Sequence, residues 1–243
     1  MTDLTGQVAI VTGAAKRLGR HIAQALAAER SMHVVVHCGR SVDEAEQLVQ
    51  QLRGHAVQAV AVSADLREPT AAATQVFKAA ATLGTPTVLI NSAAVFDEAL
   101  LPDIDETHLQ TTFAINTMAP LMLSRKLAAV SGDHAAQIIN ILDWRATRPG
   151  RDHLAYTASK AALAALTKGL AQQLAPRVRV NAIAPGAMLP PPGQDDWHDE
   201  RARAEIPLLK RGTPADITRA VLYLLQSPFI TGEIHHVSGG EQL

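Results

Sequence analysis

Short runs of aliphatic and β-branched residues recur along the chain, each followed by a longer stretch whose apolar positions return every three or four residues. Val8-Ala9-Ile10-Val11, Val34-Val35-Val36, Val57 to Val62, Thr87 to Ile90, Ile138 to Ile141 and Val178 to Ile183 read as six buried strands. Between them, residues 18–30, 42–53, 70–83, 106–131 and 154–175 have helical composition and spacing. Strands that are apolar almost throughout are covered on both faces, as in a parallel sheet. Short connections and right-handed crossovers then predict a doubly wound sheet flanked by helices. A helix over 214–226 and a last strand near 233–237 close the pattern. The one irregular segment is 186–212, where Pro190-Pro191-Pro192-Gly193 precedes the acidic Asp195-Asp196-Trp197-His198-Asp199-Glu200. Long irregular segments often cover active sites, which makes 186–212 a candidate substrate lid. No repeat or linker interrupts the alternation, so 1–243 is predicted to be a single domain.

Composition narrows the function classes. The 243 residues carry 22 Lys+Arg against 23 Asp+Glu, a net charge of −1, which argues against a general nucleic-acid or membrane-surface binder. No apolar run approaches the roughly 20 residues of a membrane span. The start, Met1-Thr2-Asp3-Leu4-Thr5, lacks a charged region followed by an apolar signal core. Cys38 is the only cysteine, so no internal disulfide can form; it reads as a small buried apolar residue. A soluble, cytoplasmic protein is expected.

The turn Thr12-Gly13-Ala14-Ala15-Lys16-Arg17-Leu18-Gly19 links the first strand to the first helix. Glycine at 13 permits a tight turn, small residues at 14 and 15 let backbone amides approach a pyrophosphate, and the helix amino terminus adds its positive end. With a strand before and a helix after, this is a dinucleotide-binding signature. Arg17 stands where the usual pattern has its middle glycine. At the end of the second strand a carboxylate would hold the free ribose of NAD, whereas an arginine accommodates the 2′-phosphate of NADP. The chain has His37-Cys38-Gly39-Arg40-Ser41 there and no acid before Asp43, so Arg40 and Arg17 can grip a phosphate and NADP(H) is favoured. Ser41 has a competing role as helix N-cap, with Glu44 completing a capping box. Asp65-Leu66, closing the third strand, are placed near the adenine, or Asp65 caps a turn.

Tyr156 and Lys160, four apart in an alanine-rich helical run, lie on one helix face a turn apart. A nearby cation favours the phenolate, so the phenol pKa is expected to fall from about 10 toward working pH, making Tyr156 a rechargeable proton donor. Taken alone, such a pair is more often an ordinary surface pair. The histidines form no convincing metal set: His235 and His236 are adjacent on a strand and point to opposite faces.

Together, the glycine turn at 12–19, Asn91-Ser92-Ala93-Ala94, Asn116, the Tyr156/Lys160 pair and Asn181-Ala182-Ile183-Ala184-Pro185-Gly186 resemble the short-chain dehydrogenase/reductase family in order and spacing, nearly end to end. The resemblance implies a Rossmann-type, seven-stranded parallel sheet and a homo-oligomer, tetramer or dimer, with the helices at 106–131 and 154–175 as candidate dimer faces. It assigns Tyr156 as proton donor, with Lys160 binding the nicotinamide ribose. Asn116 supports a water-linked proton relay, or else makes a helix hydrogen bond. Gly13, Lys16, Arg17, Leu18, Gly19, His37, Arg40, Ser41, Asp65, Leu66, Asn91 and Ala93 line the cofactor. Pro185 and Gly186 pass the nicotinamide, with backbone as far as Met188 near its carboxamide. Ser238-Gly239-Gly240 departs from the family's Asp-Gly-Gly, and the usual Thr after Pro185-Gly186 is missing.

One departure bears on the substrate. Where most members carry a serine, thirteen residues before the tyrosine, this chain has Asp143. A carboxylate repels the charge developing on an alkoxide, and suits a substrate with N–H donors or a nitrogen that takes up a proton. The pteridine reductases of the family share this Asp, and the turn at 13–19 and His37 to Ser41 also resemble theirs. Arg148-Pro149-Gly150-Arg151-Asp152-His153 is similar to the dihydromonapterin reductase branch. By this resemblance Phe96 stacks on a pterin, and Arg17 touches both cofactor phosphate and pterin. Trp144 adjoins Asp143. Trp197 is either a lid contact or filler at a subunit interface. Alternatively, Asp143 caps the strand end or pairs with Arg145 or Arg148. The expected activity is NADPH-dependent reduction of a dihydropterin, dihydromonapterin or dihydrobiopterin, with dihydrofolate a weaker substrate. One rival is a carbonyl reductase or alcohol dehydrogenase. The other is a non-catalytic NADPH-binding protein, which would be expected to lack Tyr or Lys at these positions.

Overall fold

The computed structural model describes residues 3–190, 202 and 204–243. Its elements alternate as the hydrophobic pattern predicts: β1 (Val8–Val11), α1 (Arg17–Arg30), β2 (His33–Cys38), α2 (Val42–Arg53), β3 (Ala59–Ser63), α3 (Pro69–Ala80), β4 (Pro86–Asn91), α4 (Glu106–Phe113), α5 (Ala119–Val130), β5 (Ala136–Ile141), α6 (Leu154–Leu174), β6 (Val178–Pro185), α7 (Pro214–Gln226) and β7 (Ile234–Val237). The seven strands form one sheet in the order β3-β2-β1-β4-β5-β6-β7, all parallel. This is the Rossmann-type doubly wound architecture. Chain order reverses between β1 and β4, and ligands of such sheets bind where the carboxyl ends of those strands splay apart.

The two-residue period of a strand sends alternate side chains to opposite faces, and both faces are buried here. Ala9, Val11, Val34 and Val36 pack with Ile22 and Leu26 of α1, Leu48 and Leu52 of α2, and Val221 and Leu225 of α7. Val8, Ile10 and Val35 pack on the other side with Val76 and Phe77 of α3 and Leu123 and Leu127 of α5. Each fully buried aliphatic side chain contributes roughly 1.5–3 kcal/mol of transfer free energy. The core therefore fixes the sheet, and the sheet carries the loops at its carboxyl edge.

Two local expectations need correction. The helix expected over 106–131 is not continuous: α4 and α5 are joined by a π turn, Ala114–Met118. Pro120 has no N–H to donate to the carbonyl four residues before it, that of Asn116, and the backbone widens, with the Ala119 amide bonded to the Ala114 carbonyl. The capping box at α2 does not form. Ser41 occupies the N-cap position without a side-chain cap bond, and Glu44 pairs with Lys16 at 2.7 Å. Among the described residues no helix is long and apolar enough to cross a membrane, and no group of His, Cys, Asp or Glu could hold a metal ion.

Candidate functional site

Two clusters meet at the carboxyl edge of the sheet, one on each side of the β1/β4 crossover. The first is made chiefly of backbone. Gly13 has φ +64, and a Cβ there would come within 2.9 Å of the Ala93 Cα. A Cβ on Gly19 would run into the Gly13 carbonyl. Both positions therefore require glycine, and they hold the turn close against the end of β4. The Thr12 hydroxyl accepts from the amides of Ser92 and Ala93, each at 3.0 Å, and so ties β1 to β4. The amides of Gly13 and Ala14 are both bonded to His37, whereas those of Ala15 to Leu18, opening α1, have no acceptor among the described residues. Free amides at a helix start form an anion cradle.

Arg17 adopts left-handed backbone, φ +53, which costs a residue with a Cβ about 1–2 kcal/mol. Its guanidinium donates to the carbonyls of Pro190 (2.9 Å) and Leu189 (3.3 Å), strapping the turn to the segment after β6. Lys16 is held by Glu44. Arg40 is exposed at the end of β2, with no hydrogen-bond acceptor for its guanidinium among the described residues; the nearest carboxylate influence is that of Asp65, past the neighbouring β3 and already paired with Arg67. Glycine cradle, free amides and unpaired guanidinium together fit a dinucleotide bearing a phosphate on its adenosine ribose.

Several other expected cofactor residues make contacts within the protein. His37 is 1% exposed. Asp65 caps the turn at Arg67 N and is gripped by the Arg67 guanidinium, which holds its carboxyl below the usual range. Leu66 and Met188 are buried in the core. Asn91, also buried, donates to Asn140 Oδ1 (2.8 Å) across the strand pair, and Asn140 donates to the Thr167 hydroxyl (2.9 Å); Asn91 Oδ1 has no partner. Past Pro185, the Gly186 amide bonds to Val237 O and the Ala187 amide to Glu241 Oε2 at 2.6 Å.

The second cluster is made of side chains. β5 ends at Ile141, and Asp143 stands two residues beyond, starting a 3₁₀ turn. Its two oxygens divide their work: Oδ1 accepts from the Arg145 amide at 2.8 Å, and Oδ2 from the Tyr156 hydroxyl at 3.1 Å. Asp143 thus caps the turn that follows the strand and also faces the tyrosine. Arg145 is buried, with its guanidinium over the Trp144 ring and near Asp143 Oδ1 (3.7 Å) and Asp152 (3.4 Å). Arg148 donates to the Glu241 carbonyl, so the alternative Asp143–Arg148 pair is not formed. Phe96 is half-exposed, stacks on His153 at 4.0 Å and meets the Tyr156 ring edge-on at 4.7 Å. Asn116 Nδ2 donates to Val95 O and Ser159 Oγ while Oδ1 accepts from Val95 N, so this side chain fixes the loop that carries Phe96. A cleft of about 450 Å³ opens beside Trp144, Arg148 and Glu241.

The expected fall in the tyrosine pKa is reversed. Tyr156 is driven well above the usual phenol value, by burial first and by the Asp143 carboxylate second. Lys160 is also buried; its Nζ donates to the Ile141 carbonyl at 2.7 Å, and burial lowers its pKa to about 8. The cation that opposes the shift of Tyr156 is Arg145, not Lys160.

Trp197, and residues 191–201 and 203 of the irregular segment, lie outside the described residues. Thr12, Asn140, Asp152, His153, Thr167 and Glu241 complete the two clusters without having been singled out in the sequence for these roles, whereas Arg145 pairs with Asp143 as one of the alternatives expected. The amide-bearing Asn91 and Asn140, each near the end of an apolar strand, were the visible signal for one pair.

Comparison with known proteins gives a consistent picture. Residues 7–201 match the family model described as short chain dehydrogenase. The 3-oxoacyl-[acyl-carrier-protein] reductase FabG of Staphylococcus epidermidis is 31% identical over 247 residues, covering 96% of this chain and 97% of that protein. The crystal structure of FolM alternative dihydrofolate reductase 1 from Brucella canis, complexed with NADP, superposes with a TM-score of 0.91 at 32% identity, covering 99% of this chain and 96% of that one. A short chain dehydrogenase from Burkholderia cenocepacia, also in complex with NADP, superposes with a TM-score of 0.92 at 28% identity over the whole of both chains.

Proposed function

Because the chain belongs to the short-chain dehydrogenase family, as an NADP(H)-dependent oxidoreductase, we propose that it reduces a dihydropterin, dihydromonapterin or dihydrobiopterin, to the tetrahydro form, with dihydrofolate a weaker substrate. The observation that carries this reading is the Tyr156 hydroxyl donating to Asp143 Oδ2 at 3.1 Å. The likeness to FolM supports it.

The cofactor supplies the hydride. The chain supplies the proton and the polarity of the pocket. Burial and the adjacent carboxylate keep Tyr156 a neutral phenol whose Oη proton is held for a ring nitrogen. When the neighbouring carbon is reduced and the proton passes to that nitrogen, the phenolate left behind is offset by the Lys160 ammonium beside the ring. Asp143 Oδ2 accepts N–H groups of the pterin while Oδ1 stays on the Arg145 amide. Lys160 spends one N–H on the Ile141 carbonyl, and its other two would hold the ribose hydroxyls of a bound cofactor. Phe96, half-exposed beside the tyrosine and stacked on His153, would bring its ring against a flat substrate.

A ketone is the poorer fit. Its carbonyl oxygen becomes anionic beside Asp143, and two unit charges about 4 Å apart repel by about 4 kcal/mol at an effective dielectric of about 20. Arg145 offsets part of this, but it is already shared with Asp152. The likeness to FabG makes the carbonyl reductase reading a concrete rival. Steady-state assays with NADPH on dihydropterins and on a ketone and 3-oxoacyl panel separate the two: kcat/KM should favour the dihydropterin at least tenfold, and a preference for any carbonyl substrate contradicts the proposal. A single free, buried Cys38 supports function in a reducing cytoplasm. The likeness to the short-chain dehydrogenase family supports assembly as a dimer or tetramer.

A further inference from the structure

His37 lies at the end of β2, its ring buried between the glycine turn and the end of β3. Its Nδ1 meets the Gly13 amide at 3.2 Å, and its Nε2 meets the Ala64 carbonyl at 3.0 Å. Its own carbonyl accepts from the Ala14 amide at 2.9 Å. An amide N–H can only donate, so Nδ1 must carry a lone pair; a carbonyl can only accept, so Nε2 must carry the hydrogen. Both ends select the same neutral tautomer. We propose that His37 is a positioning residue for the cofactor: its imidazole, fixed as the Nε2–H tautomer, turns the Gly13 amide inward, beside the Ala14 amide held by the His37 backbone carbonyl, and leaves those of Ala15 to Leu18 for the pyrophosphate.

The histidine never touches the ligand in this account. It decides which amides of the turn are spent inside the protein and which stay available. A charged imidazolium has no lone pair at Nδ1 and must release the Gly13 amide. Burial already disfavours that charge, and the Ala64 carbonyl opposes the shift only in part. The charged groups on the neighbouring elements pair with one another, Lys16 with Glu44 and Asp65 with Arg67, and the exposed Arg40 acts on Asp65. Acidification should therefore weaken cofactor binding as the ring is forced to take up a proton.

The inference rests on the dinucleotide reading of this end of the sheet, and the test keeps the two apart. The apo protein is titrated with NADPH, followed by nicotinamide fluorescence, and with adenosine 2′-monophosphate, which lacks the pyrophosphate, followed by calorimetry. His37→Leu removes both hydrogen bonds and should raise the Kd for NADPH at least tenfold while changing that for the monophosphate less than threefold. His37→Gln, whose amide can accept at one end and donate at the other, should restore most of the NADPH affinity. Equal weakening of both ligands, or NADPH binding by His37→Leu within twofold of the unsubstituted protein, overturns the proposal. Failure of the unsubstituted protein to bind NADPH overturns the dinucleotide reading instead. Should His37→Leu not fold, histidine ¹⁵N spectra of the unsubstituted protein decide: the Nε2–H tautomer is expected at pH 7, and an Nδ1–H tautomer or a charged ring there contradicts it.

Discussion

The two clusters at the carboxyl edge of the sheet are built from different materials. The dinucleotide end is backbone: a glycine turn, free amides and a strand crossover, with His37 and Thr12 bracing from behind. The other end is a chain of side chains, Tyr156 to Asp143 to Arg145 to Asp152, with Phe96 and His153 stacked over it. A backbone site survives most side-chain changes and fails when the geometry of a turn is lost. A side-chain site fails when one functional group goes, and it can change substrate without touching cofactor binding. This contrast accounts for relatives of about 30% identity that share the fold and carry the names of different substrates.

Substitutions at each end should therefore fail in opposite ways. Tyr156→Phe removes the transferable proton and should lower kcat by about 10²–10⁴-fold, the usual contribution of a positioned acid, while the Kd for NADPH moves less than threefold. Single-turnover rates and fluorescence titration read the two quantities; a large loss of cofactor affinity would mean that the ends are not separable. Arg40→Ala should raise the Kd for NADPH about 10–100-fold, the worth of one charge-assisted contact, and leave that for NADH nearly unchanged. Gly13→Ala combines left-handed backbone with a collision at Ala93, a cost of about 1–3 kcal/mol, and should lower both thermal stability and NADPH affinity while leaving the catalytic side chains in place.

The smallest effect concerns Lys160. Its folded-state pKa of about 8 lies below the unfolded value of 10.5, so above pH 8 the unfolded chain binds a proton that the folded chain has released. Stability from this group therefore rises with pH, by about 1 kcal/mol between pH 8 and 9. Urea denaturation of the unsubstituted protein and Lys160→Met at the two pH values should show that gain only in the former.

The sheet was legible because strand and helix periods are written into the positions of Val, Ile, Leu and Ala, and the turn at 12–19 because its function is carried by glycine spacing. What escaped reading depends on tertiary neighbours. Glu44 forms no capping box with Ser41 and pairs with Lys16, which lies 28 residues earlier in the chain. The break near Asn116 follows from Pro120, a local signal outweighed by the apolar pattern over 106–131. The Tyr156 pKa was expected to fall because Lys160 is near in sequence; in space, burial and Asp143 outweigh that cation. His37 looked like a ligand contact, but its position at the end of β2 did not reveal that the ring turns inward. Asp143 was read as either a cap or a site residue; one of its oxygens caps the turn after β5 and the other meets the Tyr156 hydroxyl.

The claim on which the proposed function depends is that the Asp143 carboxylate makes the pocket accept a protonatable nitrogen over a developing oxyanion. Asp143→Ser restores the hydroxyl that most of the family carries there, and the ratio of kcat/KM for a dihydropterin to that for a ketone tests the claim directly. The ratio should fall by at least about 10²-fold, mainly through lost pterin turnover, with NADPH affinity unchanged. A ratio that stays where it was, with pterin turnover intact, would contradict it.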